Sequence, residues 1–240
     1  MKNLLILALV ALSLNALASN DLEKIIGDDD LTAVNTDGTN VSVYLRPLIN
    51  AFGHMSMGCT ATHIGNGYVL TAGHCFEASE DVMTDQACAD ITIEWGYREE
   101  TTPYMVSTCE KIVAAQRNDS NDYALIKVSP VPPVAIAPDL QRRAIIGDTV
   151  TIFSHPEELP LRWSHLCGIE RVQHPDLPKD AFHHKCDTNP GSSGATVLNI
   201  VSLKVIGIHD GGTTSDGGMN YGTYIMNSPL RDYLLQVGFK

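Results

Sequence analysis

The sequence predicts an all-β chain: two small antiparallel barrels in tandem, closed by one C-terminal helix. Three observations carry this. Val, Ile, Thr, Gly and Pro dominate after residue 30, short apolar runs recur between turn clusters, and one proline-rich joint separates two similar halves. Residues 41–45, 67–71, 91–95, 111–115 and 123–128 read as strands of the first half. The joint, Ser129-Pro130-Val131-Pro132-Pro133, lacks the amide donors that a central strand needs and reads as a linker. Beyond it, residues 148–153, 166–172, 195–200 and 205–208 continue the strand pattern. Only 229–239 reads as a helix, with Pro229 at its start, an apolar stripe of Leu230, Tyr233, Leu234 and Val237, and Gly238 at its end.

Composition narrows the function classes. The 240 residues are long enough to bury a sizeable core, and 44% apolar against 18% charged residues excludes a disordered chain. A formal net charge of −12, with no run of Lys or Arg, argues against binding to a phosphate backbone or an anionic membrane surface. Lys2, the apolar run 4–12 and the small-residue exit Ala16-Leu17-Ala18 read as a secretory signal peptide over 1–18, cleaved before Ser19. The run is too short to cross the roughly 30 Å of hydrocarbon in a bilayer. The product is therefore expected to be secreted or periplasmic, with no stable membrane insertion.

Six cysteines, Cys59, Cys75, Cys88, Cys109, Cys167 and Cys186, suit disulfides in an exported chain, although fifteen pairings are open. No Cys-x-x-Cys and no paired His ligands at helical spacing beside a carboxylate point to zinc. His183-His184 reads as a solvated pair whose rings point apart on a strand. Asp28-Asp29-Asp30 reads as a solvated turn rather than a calcium site, so no metal is expected.

Three local patterns carry chemistry. Thr71-Ala72-Gly73-His74-Cys75 leaves an imidazole at the end of an apolar strand. Asn121-Asp122-Tyr123-Ala124-Leu125-Ile126 opens another strand with a carboxylate under apolar neighbours. Pro190-Gly191-Ser192-Ser193-Gly194 is a tight loop of small residues. Each alone is unremarkable. Jointly they supply a weak hydroxyl nucleophile in Ser193, a base in His74 to take its proton, and a carboxylate in Asp122 to hold that base in one tautomer. The flanking glycines let the amides of Gly191 and Ser193 approach a developing oxyanion.

These motifs, in this order, resemble the trypsin/chymotrypsin-like serine endopeptidases over nearly all of 25–240, and within them the bacterial glutamyl endopeptidases. Ile25-Ile26-Gly27-Asp28-Asp29-Asp30-Leu31-Thr32 is similar to the mature start of that subgroup, and Cys186-Asp187-Thr188 and Gly207-Ile208-His209-Asp210-Gly211-Gly212 to its pocket segments. The resemblance implies two six-stranded barrels (about 25–130 and 139–240), polypeptide substrates, a monomer and no cofactor. It implies His74 as general base, Asp122 as its orienter, Ser193 as nucleophile, and Gly191 and Ser193 as oxyanion donors. It also implies the bridges Cys59–Cys75 and Cys167–Cys186, which leave Cys88 with Cys109. Residues 19–24 become a short pro-segment, removed after Lys24 by an activating protease; the alternative is that Ser19 remains the mature end.

The sequence also departs from the family. Ser192 stands where trypsin-like zymogens carry the Asp that receives the new N-terminus, so activation through that ion pair is not expected. Ala195-Thr196 replaces the usual continuation of the serine loop, and Asp210 replaces a neutral pocket residue. Asp187 lies six residues before Ser193, where trypsin-like enzymes receive Lys or Arg, whereas Thr188 and His209 match a carboxylate-binding pair. Cleavage after Glu or Asp is the favoured reading. Cleavage after Lys or Arg, an acyl hydrolase acting on esters, and a non-catalytic binding protein on the same fold are the alternatives.

Overall fold

A computed structural model describes residues 23–88, 90–172, 181–213 and 218–240. The first half contains β1 (Thr32–Ala33), β2 (Phe52–Met55), β3 (Thr60–Gly65), β4 (Tyr68–Thr71), β5 (Met83–Ala87), β6 (Thr92–Trp95), β7 (Met105–Arg117) and β8 (Asp122–Ser129). Six of these close a ring in the order β7-β6-β2-β3-β4-β8, with β8 pairing back onto β7, and β5 lies outside on β7. The second half contains β9 (Thr149–Ser154), β10 (Arg162–Trp163), β11 (Cys167–Val172), β12 (Ala181–His184), β13 (Thr196–Asn199), β14 (Lys204–Gly212), β15 (Asn220–Tyr224) and a helix α1 (Leu230–Gln236). Its ring runs β9-β11-β12-β15-β14-β13 and closes through β13 on β9, while β10 and β1 extend from β9. The fold is two closed six-stranded antiparallel barrels with a short C-terminal helix.

The period-2 alternation of a strand explains how the barrels join. Along β8, Ala124, Ile126 and Val128 point into the first barrel with Val69, Ile93, Trp95 and Ile112. The intervening Tyr123 and Leu125 face a second apolar layer between the barrels. In β9, Val150 and Ile152 fill the second barrel while Phe153 faces that layer, its ring 4.9 Å from the ring of Phe52. Both faces of β8 and β9 are therefore buried: β8 carries the apolar run Tyr123-Ala124-Leu125-Ile126, and β9 buries Thr151 among its apolar residues. α1 closes the same layer with Leu230 and Leu234, one helical turn apart. Pro229 starts the helix at φ −57°, and Gly238 ends it at φ +99°, a conformation that favours glycine.

Two sequence expectations fail, each for a visible reason. Residues 41–45 are not a strand. Val41 and Leu45, four apart, are both buried because the chain makes a helical turn, with the amides of Leu45 and Arg46 both donating to Ser42 O. The turn runs into a 3₁₀ helix at Arg46–Ala51 with Pro47 near its start, and proline has no amide to give a ladder. His183 and His184 lie on a strand as expected, but neither is solvated: they are 4% and 0% exposed. Asn199, Thr196 and other polar residues of the second barrel are likewise buried.

Three disulfides are present: Cys59–Cys75, Cys88–Cys109 and Cys167–Cys186. The first closes a loop of 16 residues between β3 and the turn carrying His74, and a loop of that length stabilises a fold by about 3 kcal/mol on the chain-entropy estimate. No described helix is long and apolar enough to cross a membrane.

Candidate active site

His74 opens a single 3₁₀ turn, His74–Phe76, directly after β4. Gly73 before it allows close packing, since a Cβ there would stand 2.9 Å from Tyr123 O. Asp122, the first residue of β8, accepts twice from the same histidine. The backbone amide of His74 donates to Oδ1 at 2.8 Å, and the ring nitrogen Nδ1 lies 2.7 Å from Oδ2. A carboxylate accepts only, so Nδ1 carries the proton and Nε2 is left as the basic nitrogen. The backbone contact fixes where the ring hinges, and the ring contact fixes how it turns. Asp122 is itself held from the second barrel: its amide donates to Thr223 Oγ1 at 2.8 Å, and that hydroxyl donates to Asp210 Oδ2 at 2.7 Å. Asp210 is buried, so the unusual acid in the pocket segment acts here as an acceptor behind the His–Asp pair.

The serine loop precedes β13 and is gripped by the first barrel. Thr60, fully buried at the start of β3, receives the amide of His155 on its hydroxyl at 2.9 Å and donates that hydroxyl to Gly191 O at 2.9 Å. Its own amide donates to Ser193 O at 2.9 Å. Gly194 has φ +83°, and a Cβ there would lie 2.5 Å from Thr60 O and 2.7 Å from Ala72 N. Glycine is required on both counts. Ser192 is fully buried; its Oγ lies 3.0 Å from Ser154 Oγ and accepts from the amide of Asn189 at 3.3 Å. Gly191, Ser193 and His74 thus come to one seam between the barrels.

The predicted pocket residues divide. Asp187 is buried and turned toward the N-terminal segment, where it accepts from the amides of Ile26 and Asp30 at 2.7 Å each. Burial pushes its carboxyl up against the opposing pull of those two amides. Thr188 and His209 are fully buried. The amide of Thr188 donates to Lys24 O at 3.2 Å. His184 Nε2 lies 3.1 Å from His209 Nδ1, and the amide of Cys186 donates to His184 Nδ1 at 3.3 Å.

That last contact assigns the protons. Burial, with His209 and His183 nearby, holds His184 well below the usual imidazole range, so the ring is neutral. Its Nδ1 accepts, its Nε2–H donates to His209 Nδ1, and His209 is left presenting Nε2–H to the pocket. Facing it at 3.6 Å is Glu23 Oε1. The same oxygen accepts from Ser193 Oγ at 2.5 Å, and Glu23 Oε2 from the amide of Ser192 at 3.2 Å. Sequence reasoning missed Glu23, His184, Thr223 and Thr60. His184 carried a readable signal, lying on a strand that leads into the pocket segment; Thr60 and Thr223 carried none.

Among the described residues, the one convergent group of metal-ligand types is Cys59, His74 and Cys75, and its two sulfurs are joined in a disulfide. Asp28, Asp29 and Asp30 are exposed, as expected of a solvated turn.

The trypsin-like peptidase domain profile matches residues 59–208, and the chain belongs to that family of serine peptidases. Solved structures agree on the fold. A Glu endopeptidase in complex with MPD superposes with a TM-score of 0.64 at 18% identity, covering 89% of this chain and 98% of that one. An inactive form of the Rv3671c protease, from Mycobacterium tuberculosis, gives 0.60 at 15% identity, covering 86% and 98%. A second inactive form of the same protein, a Ser-to-Ala mutant, gives 0.59 at 14% identity, covering 86% and 95%. None of the curated proteins compared matches the chain.

Proposed function

We propose that this serine peptidase is a secreted endopeptidase that cleaves after Glu or Asp, with His74, Asp122 and Ser193 as its triad. Ser193 Oγ attacks the scissile carbonyl carbon while His74 Nε2 takes its proton. Asp122 stabilises the imidazolium that forms, and the amides of Gly191 and Ser193 hold the oxyanion. The C–N bond then breaks as His74 returns the proton to the leaving amine. Water, activated by His74, releases the acyl group and regenerates the hydroxyl. The arrangement supplies every proton transfer without a metal or organic cofactor.

The observation that carries the substrate preference is the seat formed by His209. Its Nε2–H, oriented by His184, faces a carboxylate already lying there, and a fully buried donor suits an anion. The same pocket argues against Lys or Arg, because Asp187 spends both oxygens on the amides of Ile26 and Asp30. The export rests on residues 1–18, which lie outside the described residues, and is supported by three disulfides. Residues 19–24 then form the pro-segment, and 25–240 the peptidase domain.

A chromogenic peptide panel that varies only the residue before the scissile bond tests this, run on wild type, His209→Leu and Asp187→Asn. Turnover is expected on Glu and Asp peptides and is expected to fall at least tenfold in His209→Leu, the scale of one lost charge-assisted hydrogen bond. Arg turnover that disappears in Asp187→Asn, with acidic peptides inert, would establish the Lys/Arg alternative.

A further inference from the structure

We propose that Glu23 is a built-in inhibitor: in the uncut chain its carboxylate plugs the site by binding the nucleophile and occupying the seat meant for a substrate carboxylate. The inference rests on Ser193 being the nucleophile and on the carboxylate-binding reading of His209. Although Glu23 stands in a short polar leader, its side chain is 3% exposed. It is hydrogen-bonded at two points, Ser193 Oγ at 2.5 Å and Ser192 N at 3.2 Å, and it faces His209 Nε2 at 3.6 Å. Ser193 gives its hydroxyl hydrogen to Glu23, so that proton is directed at Glu23 rather than at His74.

The neighbouring backbone is bound as a ligand would be. Asn220 brackets Lys24, accepting from its amide at 3.2 Å and donating to its carbonyl at 2.8 Å, and Thr188 N donates to the same carbonyl at 3.2 Å. Lys24 Nζ donates to Thr213 O. Two residues on, Asp187 holds the amides of Ile26 and Asp30. The segment is therefore anchored on both sides of the Lys24–Ile25 bond. A cut there frees Glu23 while Asp187 retains everything from Ile26 onward. The pocket opens and its wall stays. An enzyme that requires an acid before its scissile bond does not cut after Lys24, so the releasing cut comes from a separate, Lys-cleaving protease.

The test is the rate at which a fluorophosphonate labels Ser193 in the exported chain, comparing wild type, Glu23→Ala and Glu23→Gln uncut, and wild type after trypsin has cut at Lys24, with each form verified by intact mass. Both uncut variants and the cut wild type are expected to label about tenfold to a hundredfold faster than uncut wild type, the scale of a hydrogen bond to a charged group. Uncut variants that label at the wild-type rate would overturn the proposal, as would uncut wild type that already labels as fast as the cut chain. Glu23→Gln keeps the side-chain shape and carries the comparison should the alanine variant unfold. The probe has no acidic side chain, so the outcome is independent of the peptide panel. Faster labelling without acidic preference keeps the plug and removes the substrate reading. No labelling of Ser193 in any form removes the nucleophile assignment itself.

Discussion

Replacing Thr60 by Val tests whether the first barrel positions the serine loop. Valine keeps the shape and burial of threonine and deletes one hydroxyl. That hydroxyl receives the amide of His155 and donates to Gly191 O, both at 2.9 Å, in a residue with no solvent exposure. The substitution leaves two buried backbone groups unpaired. At about 1–3 kcal/mol for each such group, and with partial relaxation, the expected loss is about 3 kcal/mol. For a domain of this size that corresponds to a drop of about 6–12 °C in Tm. The carbonyl that loses its donor belongs to Gly191, the residue proposed to give one oxyanion amide, so kcat should fall about tenfold or more with KM little changed. Calorimetry and steady-state kinetics on one preparation read both effects, and Thr60→Ser, which restores the hydroxyl, should recover most of each. A Thr60→Val protein within about 1 kcal/mol of wild type and with unchanged kcat would refute the role.

Two further outcomes follow from the buried groups. Ser193→Ala should fold normally and lose several orders of magnitude in turnover, whereas Ser192→Ala, which loses the contacts to Ser154 Oγ and the Asn189 amide, should keep most of it; the reverse result would reassign the nucleophile. Stability should fall as the medium is acidified below pH 6.5. Burial pushes His155 down to about 3 and holds His184 well below its ordinary value, so below 6.5 the unfolded chain binds protons that these two rings refuse. Each ring contributes up to about 1.4 kcal/mol per pH unit, with stability rising with pH across the window between its folded and unfolded values. Melting curves from pH 7.5 to 4.5 at constant salt measure the slope, His155→Phe should reduce it, and a Tm that stays level on acidification would contradict it.

The sequence by itself determined the class of fold and the three motifs from which the catalytic constellation is proposed. His74, Asp122 and Ser193 each sit in a motif whose local chemistry is legible, and the strands at 67–71, 123–128, 148–153 and 205–208 coincide with β4, β8, β9 and part of β14. β4, β8 and β14 carry consecutive apolar residues because they are buried on both faces, and such runs announce themselves; β9 shows instead in its β-branched Thr149-Val150-Thr151-Ile152. β2, β3 and β15 did not show, since their glycines and threonines lie inside the barrels, where pairing with distant strands rather than local pattern decides burial. Only the tertiary structure could place Thr60 beneath the serine loop, Thr223 behind Asp122, and His184 against His209. Each of these contacts joins residues at least 25 positions apart in the chain. Only the fold, too, turns Asp187 toward the amides of Ile26 and Asp30 and sets Glu23 against Ser193, across 170 positions of sequence. A side chain's chemistry is fixed by its identity, but its partner and its exposure to water are fixed by where the whole chain brings it. For that reason the residues proposed to react were readable in the sequence, and the residues packed against them and into their site were not.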